Sequence, residues 1–235
     1  MKNYKFLIFD LDDTLLDFQG TELKSLEAIF QKYDIPFENQ YIEQYKVINR
    51  SLWNQLEQGL ISKKQVLEQR FERFFQCYGI QVQGASVEKE YRHFLNLGHK
   101  LMPEALGVLT TLKERGYKIF AGTNGVGETQ RKRLYDANLL SLFDDLFISE
   151  EIGFEKPDIN FFRAISSKYP MLTKENAIMI GDSLSSDIQG AIQFGLDSVW
   201  FHPHGEHTSA INPSYEIKEL TELLYILNKE GSGNE

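Results

Sequence analysis

One cysteine, six prolines and no long apolar run mark what this 235-residue chain has little of. A lone Cys77 forbids an internal disulfide and suits a reducing compartment. Its expected place is that of a small buried hydrophobe. No stretch is long and apolar enough to span a bilayer, and Asp10 arrives too early for the apolar region of a signal peptide. A cytoplasmic protein is therefore expected. Positive charge is also scarce, with 25 Lys and Arg against 34 Asp and Glu and a net charge of -9. That balance argues against a nucleic-acid polymer or an anionic membrane as partner. An acidic chain that handles an anion must do so with a bound cation or a few placed donors. Walker-type phosphate loops, Gly-x-Ser-x-Gly elbows, internal repeats and low-complexity tracts are all missing. No feature assigns an oligomeric state.

What remains is globular, with 42% apolar and 25% charged residues. Short continuous apolar runs recur at Phe6–Phe9, Lys118–Gly122, Asp145–Ile148, Ala177–Ile180 and Ser198–Phe201. Continuous rather than alternating apolarity is what a strand covered on both faces requires. Helical patterns lie between them. Pro103-Glu104 opens one that Gly116 closes, with Ala105, Leu106, Leu109 and Leu112 on one face. Ile188, Ala191 and Ile192 mark another. Strand and helix alternate from about residue 100 onward, which predicts an α/β, doubly wound parallel sheet with a Rossmann-like core.

Residues 16–99 differ, carrying long helical patterns and no convincing strand. Leu23, Leu26, Ile29 and Phe30 form one stripe; Val66, Leu67, Arg70, Phe71, Phe74 and Phe75 form a broader one, read as packing. The division expected is a core of 1–15 and 100–230, an inserted all-helical module at 16–99 hinged near 17–20 and 96–99, and a disordered tail at 231–235.

The chemistry concentrates at strand ends, the edge where parallel α/β sheets bind ligands. Asp10-Leu11-Asp12-Asp13-Thr14-Leu15 follows the first apolar run directly. Carboxylates two residues apart there repel unless a cation or a shared proton relieves them, which suggests a Mg²⁺ site with one carboxylate available as a nucleophile. A turn that caps the next helix is the bland reading. An EF-hand fails, because Leu15 and Thr21 stand where that loop needs Gly and Glu. The second run ends in Thr123-Asn124-Gly125. Lys156-Pro157-Asp158 follows the third, and Gly181-Asp182-Ser183 ends the fourth with Asp187 close behind. Each alone has an ordinary reading as turn, solvated lysine or surface carboxylate. Right-handed crossovers would bring all four to one edge.

Asp10-Leu-Asp12-Asp-Thr14, Thr123-Asn124, Lys156-Pro157 and Gly181-Asp182-x4-Asp187 resemble, in order, the four motifs of the haloacid dehalogenase-like hydrolase superfamily. The helical insert falls where that superfamily places a cap domain. Leu16-Asp17-Phe18, Ile48-Asn49-x2-Leu52-Trp53, Arg70-Phe71, Thr123-Asn124-Gly125-Val126, Ser149-Glu150-x-Ile152-Gly153 and the segment 181–188 are similar to the noncanonical pyrimidine nucleotidase (5'-nucleotidase) branch. The resemblance implies a magnesium-dependent phosphatase forming an aspartyl-phosphate on a small phosphorylated metabolite, a pyrimidine nucleoside monophosphate in that branch. By the same resemblance Asp10 is the nucleophile and Asp12 the general acid and base. Asp10, the backbone carbonyl of Asp12, and Asp182 hold Mg²⁺, while Asp187 orients that shell. Thr123, Asn124 and Lys156 bind the phosphate, with Thr123 and Lys156 also serving catalysis. The cap closes over the core and selects the leaving group.

An acid at position 12 disfavours the superfamily's dehalogenases, phosphonatases and cation pumps. A sugar-phosphate phosphatase or mutase stays open, since it uses the same four groups. Outside the enzymes stand a phospho-acceptor switch, whose Lys-Pro pair follows the last strand, and a silent binding protein on the same fold. His202, His204 and His207 cluster after the fifth run without a zinc-site spacing, and are read as a solvated loop. Tyr45, Trp53 and Asn54 of the insert are read equally as packing or as substrate contacts.

Overall fold

The computed structural model describes residues 2–203 and 210–231. The chain divides into two compact units, one formed by Met1–Asp17 with His99–Glu235 and the other by Phe18–Gly98. Strand β1 (Phe6–Phe9) opens the first unit. The second unit holds four helices: α1 (Phe18–Lys32), α2 (Asn39–Glu57), α3 (Lys63–Gln76) and α4 (Gly84–Leu95). The chain then returns to the first unit through α5 (Ala105–Glu114), β2 (Lys118–Thr123), α6 (Gly127–Asp136), β3 (Asp145–Ile148), α7 (Ser149–Ile152) and α8 (Ile159–Lys168). It ends with β4 (Ala177–Gly181), α9 (Gln189–Phe194), β5 (Asp197–Phe201), β6 (Tyr215–Ile217) and α10 (Leu223–Gly231).

The six strands pair in parallel in the order β3-β2-β1-β4-β5-β6. Phe9 at the end of β1 stands opposite Ala121 of β2 and Ile180 of β4. Side chains alternate between two buried layers. Leu7, Phe9, Ile119, Ala121, Ile178 and Ile180 enter one, and Phe6, Ile8, Phe120, Ala177 and Met179 the other. Strand order reverses between β1 and β4, so their carboxyl ends flank the switch-point crevice of the sheet.

In the helical unit, α3 packs on both α2 and α4, and α1 packs on α4. Phe71, Phe74 and Phe75 are fully buried there. Phe74 stacks on Phe30 at 4.9 Å and meets Tyr45 edge-on at 5.9 Å. Ser62 and Gln65 form a capping box that starts α3. The Arg70 guanidinium is buried against Glu88 at 2.5 Å, with Arg92 bonded to the same carboxylate, and lies 4.7 Å over the Tyr91 ring. Tyr45 belongs to this aromatic core, Trp53 donates to Asn49, and Asn54 is exposed.

Several expectations change. Cys77 is exposed, because it sits on the outer side of the end of α3 with its thiol on the Arg73 carbonyl. Leu106 and Ile192 are 43% and 41% exposed. The true inward stripe of α5 is Ala105, Val108, Leu109 and Leu112, a phase that leaves Leu106 outside. Helix α5 starts at Ala105 rather than Pro103, after Glu104 takes a left-handed conformation with φ 62°. The three-residue β6 is a sixth strand that the apolar runs did not mark. Leu16, Asp17 and His99 go with the sheet unit rather than the helices, since Leu16 bridges Leu101 and Asp17 donates to the Lys100 carbonyl. Gly231 ends α10, and 232–235 lie outside the described residues, as do His204 and His207. Among the described residues no helix is long and apolar enough to cross a membrane.

Truncating Phe74 to Ala should destabilise the helical unit by about 3–5 kcal/mol, through lost burial and an unfilled cavity. Urea unfolding followed by tryptophan fluorescence checks this, as Trp53 lies in that unit; an unchanged transition would contradict the packing described.

Candidate active site

Asp10 lies one residue past β1, with its N–H still in the sheet ladder, donating to the Ile180 carbonyl at 2.8 Å. The segment after it folds back sharply. Leu15 and Leu16 both donate to the Leu11 carbonyl, and Asp13 takes a left-handed conformation with φ 58°. Asp12 forms a bridge to Leu16. The carboxylate of Asp10 thus stays at the switch point, while that of Asp12 is bonded to side chains of α6.

Lys156 arrives from the loop between α7 and α8. Its backbone N–H donates to the Asn124 side-chain oxygen, and its carbonyl accepts from the Asn124 amide nitrogen, both at 2.8 Å. Asn124, expected on the phosphate, therefore uses its side-chain amide to hold Lys156 in place. The ammonium is 1% exposed and donates to Asp10 at 2.6 Å, Asp187 at 2.6 Å and the Gly122 carbonyl at 2.5 Å. Three acceptors match its three N–H groups.

Asp187 projects from a π-helical turn (Leu184–Ile188), and its second oxygen accepts from Ser183 N–H at 3.1 Å. A Cβ at Gly181 would lie 2.2 Å from that carboxylate, so the approach requires glycine. Asp182 accepts from the Thr14 hydroxyl at 3.3 Å, while its backbone carbonyl takes the Trp200 indole N–H at 2.7 Å. One carboxylate oxygen from each of Asp10, Asp182 and Asp187 lies within 4.8 Å of the others. Three carboxylates thus face one ammonium, a surplus of negative charge. The donor set is all oxygen, which fits a hard divalent cation. The Asp12 side chain stands outside this cluster.

Burial pushes the Asp10 carboxyl up to about 8, with Asp187 and Asp12 adding repulsion and Lys156 only partly offsetting it. Burial also lifts Asp182 well above the usual carboxylate range, helped by Asp10, Asp187 and Asp13. Burial disfavours the Lys156 charge, but Asp10 and Asp187 outweigh it and hold the ammonium above its ordinary value.

A second group adjoins the first. Gln130 on α6 donates to Asp12 at 2.5 Å and to the Thr123 hydroxyl at 3.2 Å. Arg133, one turn further, pairs with the other Asp12 oxygen. Thr123 also accepts from Gly125 N–H at 2.9 Å. With both lone pairs filled, its hydroxyl hydrogen is left to donate. Sequence reasoning passed over Gln130 and Arg133, because a helix reading Thr-Gln-Arg-Lys-Arg looks solvated. The one usable signal was their three-residue spacing, which puts both on one face. The N–H of Gly127, opening α6, is taken by the Glu150 carboxylate at 2.8 Å. His202, expected in a solvated loop, is instead buried, stacking on Trp200 with centroids 3.8 Å apart and lying 3.4 Å from Glu216.

Residues 7–201 match the family described as haloacid dehalogenase-like hydrolases. The putatively named HAD-hydrolase YfnB of Bacillus subtilis is 40% identical over 99% of both chains. A pyrimidine 5'-nucleotidase of Streptococcus pneumoniae, PynA, is 37% identical over 96% of each. The crystal structure of YfnB, determined with magnesium bound, superposes with a TM-score of 0.92 over 97% of this chain and 100% of that one.

The raised carboxyls have a measurable consequence. A native state that binds protons more tightly than the unfolded chain loses stability as pH rises, here between the ordinary 3.8 and about 8 for Asp10. Asp144 acts oppositely and only at lower pH, because there burial is outweighed by hydrogen bonds from Lys113 and Lys118. In the presence of a chelator, the melting temperature should fall from about pH 5 to pH 8. Excess Mg²⁺ should flatten that slope, because cation binding displaces the protons. Parallel curves with and without Mg²⁺ would count against a cation site here.

Proposed function

The chain belongs to the haloacid dehalogenase-like hydrolases, and we propose that it is a magnesium-dependent phosphatase that removes the 5'-phosphate of pyrimidine nucleoside monophosphates through an aspartyl-phosphate. The observation that carries the chemistry is the Asp10 carboxylate, buried at the switch point 2.6 Å from the Lys156 ammonium, with Asp182 and Asp187 beside it. The relation to PynA supports the substrate class.

An Asp10 oxygen bonds to phosphorus as the ester P–O bond breaks. Asp12 gives its proton to the departing alkoxide. It then takes a proton from the water whose oxygen displaces Asp10 from phosphorus, releasing phosphate and restoring the carboxylate. Thr123 donates its hydroxyl to a phosphoryl oxygen, and Asn124 contributes through its backbone N–H and through the placement of Lys156. Lys156 offsets the charge that gathers on Asp10 and the phosphoryl group. Mg²⁺ would be held by Asp10, the Asp12 backbone carbonyl and Asp182, with Asp187 fixing their surroundings, and when bound it neutralises the surplus negative charge and polarises the phosphoryl oxygens.

Ranking hydrolysis rates for UMP, dUMP, dTMP, purine monophosphates and hexose phosphates with Mg²⁺ tests the substrate class. Pyrimidine nucleotides should lead, and hexose phosphates in front would move the assignment to a sugar-phosphate phosphatase or mutase. Asp10→Asn should abolish turnover with the melting transition retained. Asp12→Asn should slow it by about 10²–10⁴-fold. Normal rates in either variant would overturn these roles.

A further inference from the structure

Helix α6 buries two polar side chains that the chemistry above leaves without a task. Gln130 and Arg133 are each 1% exposed, on a helix that is otherwise largely polar. Burying a guanidinium and a primary amide is costly unless their groups are met, and a buried cation needs a partner of opposite charge. Both side chains meet the same partner. Gln130 Nε2 donates to Asp12 Oδ2, and Arg133 Nη1 donates to Asp12 Oδ1. Two donors on two different oxygens fix the plane of a carboxylate as well as its place.

The amide of Gln130 is itself held in one orientation. Its nitrogen also donates to the Thr123 hydroxyl at 3.2 Å, and its oxygen accepts from Arg133 at 3.3 Å. A flipped amide would set oxygen against the Asp12 carboxylate and nitrogen against the guanidinium. The neighbouring loop is shaped for this arrangement. A Cβ on Gly125 would lie 2.2 Å from Gln130 Nε2, so the position must be glycine for the side chain to reach across. Asp12, Gln130, Arg133, Thr123 and Gly125 thus form one interlocked group within the sheet unit.

We infer that Gln130 and Arg133 are positioning residues for Asp12, a clamp on α6 that fixes the acid–base carboxylate and couples its placement to the Thr123 hydroxyl. The inference rests on the phosphatase reading, since it assigns Asp12 its proton-transfer role. Asp12 must hold one geometry through two proton transfers of opposite direction, first to the alkoxide and then from water. The clamp takes one lone pair on each oxygen and leaves the others for that exchange. Arg133 keeps its charge throughout, and Gln130 has no proton to lose, so neither donor changes state while Asp12 does. Their effect should therefore appear in steps that move a proton and not in substrate affinity.

Rapid-quench kinetics with Mg²⁺ on two esters separates a clamp from mere packing. UMP must protonate its leaving alkoxide, whereas p-nitrophenyl phosphate departs without a proton. Arg133→Met and Gln130→Met should lower kcat on UMP by about 10–100-fold, with KM changed by less than about threefold. With p-nitrophenyl phosphate, phosphorylation of Asp10 should keep its rate. A burst of p-nitrophenolate should then precede a slowed steady state, because only the hydrolytic half-reaction needs Asp12. Arg133→Lys, which keeps the charge, should recover part of the loss. Wild-type kinetics, a rise in KM alone, or equal loss of burst rate and kcat on both esters would overturn the clamp. If Arg133→Met fails to fold by circular dichroism, Gln130→Met decides on the same criteria. Wild-type protein inert on both esters would sink the phosphatase reading and the clamp together. An active wild type with a slow Asp12→Asn and unimpaired clamp variants would sink the clamp alone.

Discussion

The Lys156 ammonium is the interaction on which the rest depends. Asp10 and Asp187 are both buried, and neither could be packed at the switch point as a bare anion. One cation bonded to both, and to the Gly122 carbonyl, makes that burial tolerable without removing the excess negative charge. The lysine in turn depends on Asn124, whose amide brackets its backbone from the end of the neighbouring strand. Position is passed from strand to strand: β2 places Asn124, Asn124 places Lys156, and Lys156 orients the carboxylate at the end of β1.

Close approach in this region is obtained by omitting side chains. Gly181 admits the Asp187 carboxylate, and Gly125 admits the Gln130 amide. Gly122 carries the carbonyl that takes the third Lys156 proton, and an added Cβ there would press on Ile8 at 3.0 Å. At Gly181 and Gly125 the space that a Cβ would fill is taken by a polar side chain. The glycines explain why so many short hydrogen bonds fit into the end of one sheet.

Much of this was legible in the sequence, for a physical reason. Strands covered on both faces must be apolar throughout, so Phe6–Phe9 and Ala177–Ile180 announced themselves, and the polar residues straight after them had to sit at one edge of the sheet. Asp10, Thr123 and Asp182 followed from that, and Lys156, in the loop beyond α7, from its place in the run of motifs. What escaped depended on phase or on partners distant in sequence. Leu106 and Ile192 sit on the outer sides of their helices, and three-residue β6 is too short to carry a pattern. Cys77 lies at a helix end, where burial is decided by what packs over it. Gln130 and Arg133 look like surface residues until the sheet brings Asp12 beside them, more than a hundred positions away in the chain.

The central place of β1 has a consequence for how the chain is made. Phe6 pairs with Lys118 on one side and Ala177 on the other, so the first of these six strands to be made is the one that waits longest for both neighbours. At typical synthesis speeds of about 5–20 residues per second, Phe6-Leu7-Ile8-Phe9 waits roughly ten to thirty seconds for β4. Meanwhile the helices of 18–98, which pack on one another within a single stretch of the chain, can already assemble. A nascent chain in this state presents an unpaired apolar strand tethered to a finished helical unit, the kind of segment that molecular chaperones bind.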